Sequence, residues 1–430
     1  MLVQVALSLL MLMGFTVFVI DYGVIWVARG QAQNAADAGA LAGAVARAFE
    51  DRATPPAVGG AAWTAAVDTA VRNTVWGRQP VVGDPIFSWD GQPCPPGIGG
   101  RCARVNVFRN VENGNALPVL LGGLLGVVSQ GVRATATART AMGTTTNCLK
   151  PWAVADKWIE RRSGNTVRNA PWTPSEQFDK WTKVKGNNVQ YQPTTSQDLY
   201  VRPTPGSVGT GFTPGNDLGL QLVLMPGTDG GPHGDYPSGW FVKLDLPCPQ
   251  SGGGACYRNN ISGCNGINYS IGEVLTVDNT PGNKVGPTEQ GIGDLLAKDD
   301  GARWVKDNPA SVWVPGSPQP GRVSGSRYGT SPRVVPVALM DIDVYLADSP
   351  NGKETVTIAN MMGFFVEGTC AQAKDRNIVL ETHSVEACKG NHAKAKIIGR
   401  LTPIPGLIIT TDPSPISEES SFMSVIQLVR

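Results

Sequence analysis

The pattern of apolar and polar positions sets the N-terminus apart from the rest of the chain. Residues 1–20 are apolar except for three polar positions, Gln4, Ser8 and Thr16, and the first acid is Asp21. As a helix this stretch is about 30 Å long, which matches the hydrocarbon core of a bilayer. The next residues are polar, rich in Ala and free of Pro. The pattern therefore predicts one long helix, with a hydrophobic transmembrane or assembly part over 1–29 and an Ala-rich extension over 30–50.

The next hundred residues predict a small α+β domain over 51–147. Ala61–Trp76 has apolar positions at helical spacing, and two later stretches alternate like half-buried strands, Ala103–Phe108 and Gly131–Thr140. Between these strands, Ala116–Val128 is apolar but too short to span a membrane, and its three Gly and one Pro predict a core helix or hairpin.

Residues 148–430 predict a β-rich extracellular domain. Gly and Pro number 52 and 33 in the whole chain, which is typical of loop-rich proteins. The segments with strand character are Leu218–Met225, Gly239–Leu246, Val334–Ala347, Glu354–Val366, Ala395–Leu401, Gly406–Thr411 and Phe422–Val429. The expected fold class is α+β: a long N-terminal helix, a small α/β unit and a β-rich, disulfide-bonded C-terminal region.

The eight Cys residues indicate disulfides in an exported domain. Cys94 and Cys102, like Cys248 and Cys256, enclose seven residues rich in Gly and Pro, and such a loop can bring the two Cys within bridging range. Cys370–Cys388 is a third candidate pair, and Cys148–Cys264 then follows by elimination. A zinc site is the competing interpretation, but the sequence has no CxxC pair and its three His are scattered.

A cleaved secretory signal is the main alternative for the N-terminal segment. It is disfavoured because no basic region precedes the apolar run and no cleavage-like turn closes it. The first positive charge, Arg29, follows the apolar run. Taken literally, this charge would keep the bulk of the chain in the cytoplasm, in conflict with the Cys pattern. A basic leader already removed before Met1, or a sequence that starts at an internal Met, would resolve the conflict.

Two features of the predicted helix suggest assembly. Asp21 either is hydrated at the lipid headgroups or pairs with Arg29 or the amino terminus of a neighbouring subunit. Small residues recur every four positions, which allows close contact between helices or packing of the helix on its own domain. These small residues include Ala36, Gly39, Ala40 and Gly43.

Phe18–Ala44 closely resembles the N-terminal segment of TadE/TadG-like proteins of the tight-adherence (Flp) pilus system. The shared features are an apolar helix, an acid, a short aromatic and aliphatic turn, an Arg and then QNAADAGALAGA. The resemblance implies a pilin-like bacterial protein, in the inner membrane before assembly and at the cell surface after export. Its partners would be membrane and copies of itself or other pilin-like subunits. A pilin-like Glu at the fifth position is absent, because Val5 stands there.

The chemistry of the remaining residues favours a structural role. The sequence contains 36 Lys and Arg against 35 Asp and Glu, so no basic surface predicts nucleic-acid binding. No catalytic, metal or cofactor motif stands out, and we expect no enzyme activity and no cofactor. The alternative function is a monomeric, membrane-tethered binding module for glycans or adhesion. Its basis is a Trp-rich segment that contains Trp152, Trp158, Trp172 and Trp181. These rings could form a platform that stacks on sugars, but we favour a role as core anchors.

Overall fold

The structure is a computed structural model of the 430-residue chain. It describes residues 2–49, 58–88, 101–162, 168–184, 190–194, 196–227, 236–248, 253–280, 282–306, 321–328, 330–347, 355–407 and 415–429. These residues form two compact units, 1–141 with 425–430 and 142–424. The predicted boundary after residue 147 remains a prediction.

The helices begin with one that is far longer than the others. Helix α1 is continuous from Leu2 to Phe49, as the absence of Pro and the many strong helix formers favour. The other helices are α2 (Ala61–Arg72), α3 (Pro214–Asp217), α4 (Gly253–Ser262), α5 (Val285–Ala297), α6 (Ile342–Ala347) and α7 (Thr382–Cys388). Short 3-10 helices lie at Gly122–Leu125, Cys370–Gln372 and Glu418–Ser420.

The strands are mostly short. In chain order they are β1 (Val81–Val82), β2 (Ile86–Phe87), β3 (Arg101–Arg109), β4 (Val132–Met142), β5 (Thr145–Thr146), β6 (Trp152–Ala155), β7 (Glu160–Arg162), β8 (Arg168–Ala170), β9 (Gln177–Phe178), β10 (Trp181–Val184), β11 (Gln190–Pro193), β12 (Gln221–Pro226), β13 (Tyr236–Pro237), β14 (Trp240–Lys243), β15 (Tyr269–Ser270), β16 (Val274–Thr276), β17 (Arg303–Val305), β18 (Arg322–Ser324), β19 (Val334–Met340), β20 (Thr355–Thr369), β21 (Ile397–Thr402), β22 (Ile404–Pro405) and β23 (Met423–Val429).

The first unit is a helix pair packed on an antiparallel sheet. Strands β1, β3, β4 and β23 lie side by side in that order, and β2 also pairs with β3. The core is built mostly from Ala side chains of α1, α2, β3 and β4. Because Ala is so small, the helices and the sheet can approach closely.

The second unit is organised around a closed sheet. Its strands follow the order β20-β19-β6-β14-β12-β21, and β21 pairs again with β20, while β16 lies along the outer end of β20. The pairs β12 with β14 and β19 with β6 are parallel. Strand β20 can pair with three neighbours because it is 15 residues long. Closure leaves fewer unpaired strand edges.

Three disulfides lie in the second unit. They join Cys148 to Cys264, Cys248 to Cys256 and Cys370 to Cys388. Cys102 is buried in β3, whereas Cys94 lies outside the described residues, so that the pairing of these two remains a prediction. The predicted fold class is confirmed: a long N-terminal apolar helix, mixed helices and sheets, and a β-rich region with disulfides.

Two predicted elements differ in detail from the structure. The strand expected over Val334–Ala347 ends at Met340, and its last residues form α6 instead. The carboxylate of Asp341 accepts the backbone N–H of Val344 at 2.9 Å and so stabilises the start of that helix. The apolar segment Ala116–Val128 is an extended loop around one 3-10 turn, because its Gly and Pro residues disfavour a longer helix.

Candidate functional site

The apolar part of α1 is almost entirely exposed. Among residues 3–20, only Val17 is buried, and Leu, Met and Phe side chains cover the rest of the surface. The helix is long and apolar enough to cross a membrane, a test that a signal sequence or a core helix of a soluble protein can also pass. A core helix would be mostly buried. In α1, only 6% of the most apolar 18-residue window is buried.

A buried stripe begins at Val17 and continues to the end of the helix. Val17, Asp21, Val24 and Ala28 are spaced by four, three and four residues, which places them on one face. The stripe continues through a run of buried small residues, Ala32, Ala35, Ala36, Ala40 and Ala44. The surface of α1 is therefore exposed and apolar before Asp21, and one face of the helix is packed on its domain after it. The change takes about two helical turns.

The carboxylate of Asp21 binds the loop between β3 and β4. Its Oδ1 accepts the backbone N–H of Leu120 at 2.8 Å, and its Oδ2 accepts those of Leu121 at 3.2 Å and of Gly122. These N–H groups stand at the start of the 3-10 helix, where they have no partner within that helix. A negative charge is favourable there, and a carboxylate away from water needs such donors.

This finding changes the interpretation of Asp21. The sequence led us to expect hydration, or pairing with Arg29 or another subunit. The structure gives the carboxylate three donors from its own chain and leaves Arg29 exposed, while pairing with another subunit stays a prediction. The loop that supplies these donors is apolar and lies far from Asp21 in the sequence. No residue near Asp21 indicated that the two would meet.

The bound loop is itself apolar. The 13 residues from Ala116 to Val128 include no polar side chain. Leu117 is buried and pairs through its backbone with Gln130, which fixes the base of the loop. Further along, Leu120, Val127 and Val128 are exposed, and Val128 has 92% of its surface accessible.

The small residues of α1 pack on the first unit itself. A methyl group added to Gly39 would stand 2.8 Å from both the carbonyl oxygen of Ala66 and the Cβ of Ala70 in α2. A methyl on Gly43 would stand 2.9 Å from the Cβ of Ala66. These residues therefore pack on the chain's own domain, and their close contact with another subunit stays a prediction. Ala36 and Ala40 lie in the same core.

Polar contacts further attach the second half of α1 to its domain. The side-chain oxygen of Gln31 accepts the backbone N–H of Trp76 at 2.7 Å, and the hydroxyl of Thr140 donates to the carbonyl of Ala44 at 3.3 Å. Because these contacts lie on the packed half, they hold the helix without covering its apolar half.

The second unit has buried carboxylates whose partners lie within that unit. Burial raises the pKa of the Asp156 carboxyl to about 6, although it accepts the backbone N–H groups of Lys157 and Phe212 and the hydroxyl of Tyr200. The ammonium of Lys157 in turn binds the buried Asp217 at 2.7 Å. Among the described residues, no group of three or more His, Cys, Asp and Glu could hold a metal ion.

A cleft of about 780 Å³ in the second unit is lined by several cations. Arg333 donates to the carbonyls of Val366 and Ala302, and Arg400 binds the carboxylates of Glu367 and Glu381. These cations have partners within the unit, so their charge does not by itself indicate an anionic ligand.

The Trp-rich segment lies mostly in the core of the second unit. Trp152, Trp158 and Trp172 are buried, which agrees with the favoured role as core anchors. The ring of Trp158 packs edge-on against Trp172 and Phe178. The side chain of Trp181 is outside the described part of the chain.

Comparison with known proteins gives a family match for the N-terminal helix. Residues 4–46 match the family model Tad, described as "Putative Flp pilus-assembly TadE/G-like". This match confirms the resemblance seen in the sequence and, with the apolar helix, supports a pilus-related role and membrane anchoring. No curated protein and no solved structure matches the chain.

Proposed function

We propose that this chain is a pilin-like structural protein of a bacterial pilus or surface filament. The apolar part of α1 holds it in the inner membrane before assembly. After export, the same surface packs against copies of the chain or against other pilin-like subunits. The observation that carries this proposal is the exposure of nearly every side chain over residues 3–20 on a helix whose other half is firmly packed.

The physical reason is the cost of leaving that surface in water. Each Leu, Phe or Met side chain that is removed from water contributes about 1.5–3 kcal/mol. Lipid and a neighbouring apolar helix both remove it, so a subunit can exchange one for the other as it assembles. The continuous helix keeps the apolar surface in a fixed direction, which lowers the entropy cost of assembly.

Packing within the first unit supports a choice of contact residues. Ala36, Gly39, Ala40 and Gly43 are used inside the first unit, and Asp21 has donors in its own chain. We therefore assign contact between subunits to the large side chains before Val17. This assignment fits the presence of Val5, rather than an acid, at the fifth position.

The test is deletion of residues 2–16 from the full chain, expressed in a bacterium that assembles such filaments. This cut spares Val17, Asp21 and the packed stripe, so the domain should fold. We expect loss of the protein both from membranes and from filaments sheared off the cells, measured by flotation and by immunoblotting. Unchanged incorporation into filaments would contradict the proposal.

A second variant separates assembly from simple tethering. In it, residues 2–16 are replaced by an unrelated apolar helix of equal length. Such a helix restores membrane attachment, because insertion depends mainly on hydrophobicity. It should not restore incorporation into filaments, since that requires matched side-chain packing. If the unmodified chain stays a membrane monomer and never appears in filaments, the tethered binding module is the better account.

A further inference from the structure

We infer that the loop Ala116–Val128 is a second membrane contact, which enters the interfacial region of the bilayer beside helix α1. The inference rests on the proposed anchoring of α1 in lipid. It adds a surface that lies about 100 residues further along the chain and that the match over residues 4–46 does not include. The ligand is the lipid surface itself.

The position of the loop is fixed by Asp21. Because this carboxylate binds the N–H groups of Leu120, Leu121 and Gly122, the 3-10 turn lies against α1 at the end of the apolar run. The apolar run ends at Ile20, directly before Asp21, so a helix that buries this run in hydrocarbon reaches the membrane surface near this point. The loop and the boundary of the bilayer therefore coincide.

The neighbouring residues of α1 have the composition of a membrane interface. Tyr22 and Trp26 are exposed, and these two residue types concentrate at the headgroup level of membrane proteins. Arg29 is exposed about 12 Å beyond Asp21, where its cation would meet lipid phosphates. Each of these side chains fits the depth that the Asp21 contact implies.

The loop presents apolar side chains that the described residues do not cover. Leu120, Val127 and Val128 are exposed, in a run without one polar side chain. Partial insertion of such side chains is favourable by about 25 cal/mol for each Å² removed from water. The contact would also lower the cost of placing Asp21 near the membrane, since the loop shields the carboxylate from the hydrocarbon and its N–H groups hydrogen-bond it.

Site-specific fluorescence can test this contact in the full chain reconstituted into vesicles of phosphatidylcholine and phosphatidylglycerol. Val128→Cys carries an environment-sensitive dye, and the vesicles contain lipids with a quencher either near the headgroup or in the middle of the acyl chains. Val58→Cys is the matched control, because it is also a highly exposed Val but precedes α2, which packs through Ala66 on Gly43 in the far half of α1. A third label at Leu12→Cys, about 13 Å before Asp21 along the helix and so near the middle of the bilayer, reports on the helix through the acyl-chain quencher.

We expect a blue-shifted emission at position 128 that loses most of its intensity with the headgroup quencher lipid, and no such loss at position 58. If position 12 is quenched and position 128 behaves like position 58, the loop contact is wrong while the anchored helix stands. If position 12 is not quenched either, membrane anchoring fails and the loop contact fails with it. A blue shift at position 128 without lipid quenching would indicate contact with another protein copy and would also overturn the inference.

Discussion

The carboxylate of Asp21 and the backbone N–H of Leu120 lie 2.8 Å apart, although 99 positions separate them in the sequence. This contact joins the end of the apolar part of α1 to the loop between β3 and β4. It gives the acid a role within one chain: it fixes a loop at the point where the helix leaves its packed environment.

The first prediction concerns Asp21→Asn. Asn keeps one acceptor oxygen but loses the charge and the second oxygen, so the charge-assisted bonds to the loop weaken. We expect the amides of Leu120, Leu121 and Gly122 to exchange hydrogen faster, on the order of tenfold, in detergent-solubilised full chain. Hydrogen exchange followed by mass spectrometry measures this rate.

The matched control is Asp37→Asn, on the same helix. Asp37 accepts a hydrogen bond from Gln33 at 2.8 Å and is remote from the loop in sequence, so loop exchange should be unchanged. Equal exchange of the loop in Asp21→Asn and in the native chain would show that the carboxylate does not hold it.

The second prediction concerns the close contact between α1 and α2. In Gly39→Val the new side chain would collide with the backbone of Ala66 and the methyl of Ala70, and overpacking of this kind costs about 1–3 kcal/mol. We expect faster hydrogen exchange throughout α2. By contrast, Gly30→Ala meets nothing within 4 Å and should stabilise the helix by roughly 0.5–1 kcal/mol.

The comparison of Gly39 with Gly30 separates packing from helix propensity. If α2 is equally protected from hydrogen exchange in both variants, the close approach of the two helices is wrong. If Gly39→Val alone exposes α2, the small residues serve the chain's own fold.

The third prediction ranks two disulfides. Cys148–Cys264 spans 116 positions and Cys248–Cys256 spans 8. Chain-entropy arguments give about 5 kcal/mol of stabilisation for the first and about 2.5 kcal/mol for the second. We expect the double Ser variant of the first pair to unfold at markedly lower urea concentration than that of the second pair. The reverse order would contradict the entropic account.

The fourth prediction uses the buried Asp156. Its pKa is about 6 in the folded chain, against an ordinary value of 3.8, because burial disfavours its charge. Between these values the folded state holds a proton that the unfolded state releases, so the free energy of unfolding falls as pH rises from about 4 to about 6. The fall from this group is up to about 3 kcal/mol.

Asp156→Asn should remove that contribution. Urea unfolding at pH 4.5 and pH 6.5 should show a smaller loss of stability in the variant than in the native chain. The exposed Asp375→Asn is the control and should keep the native slope. An unchanged slope in Asp156→Asn would mean that the carboxyl titrates normally.

The sequence predicted those features that depend on neighbouring residues. The apolar run and the Ala-rich extension predicted a continuous helix, and α1 runs from Leu2 to Phe49. The expected last strand, Phe422–Val429, is close to β23 at Met423–Val429. Both depend on local periodicity, which a single sequence displays directly.

Features that depend on distant contacts could not be predicted in this way. The partners of Asp21 come from a loop about 100 positions away, and the closure of the second sheet depends on β21 meeting β20. The helix α6 is an intermediate case. A short apolar run is ambiguous between strand and helix, but Asp341 before it was a usable capping signal.

The most direct test of the central claim is cross-linking between subunits at Phe15, an exposed residue before the packed stripe. Cells would express full-length Phe15→Cys, and filaments sheared from their surface would be treated with a short bis-maleimide. Our account predicts a ladder of cross-linked multimers that contain this chain, and no ladder with Val58→Cys, which lies outside the apolar helix. A Phe15→Cys chain that is absent from the sheared filaments and remains an uncross-linked monomer in the membrane would contradict it.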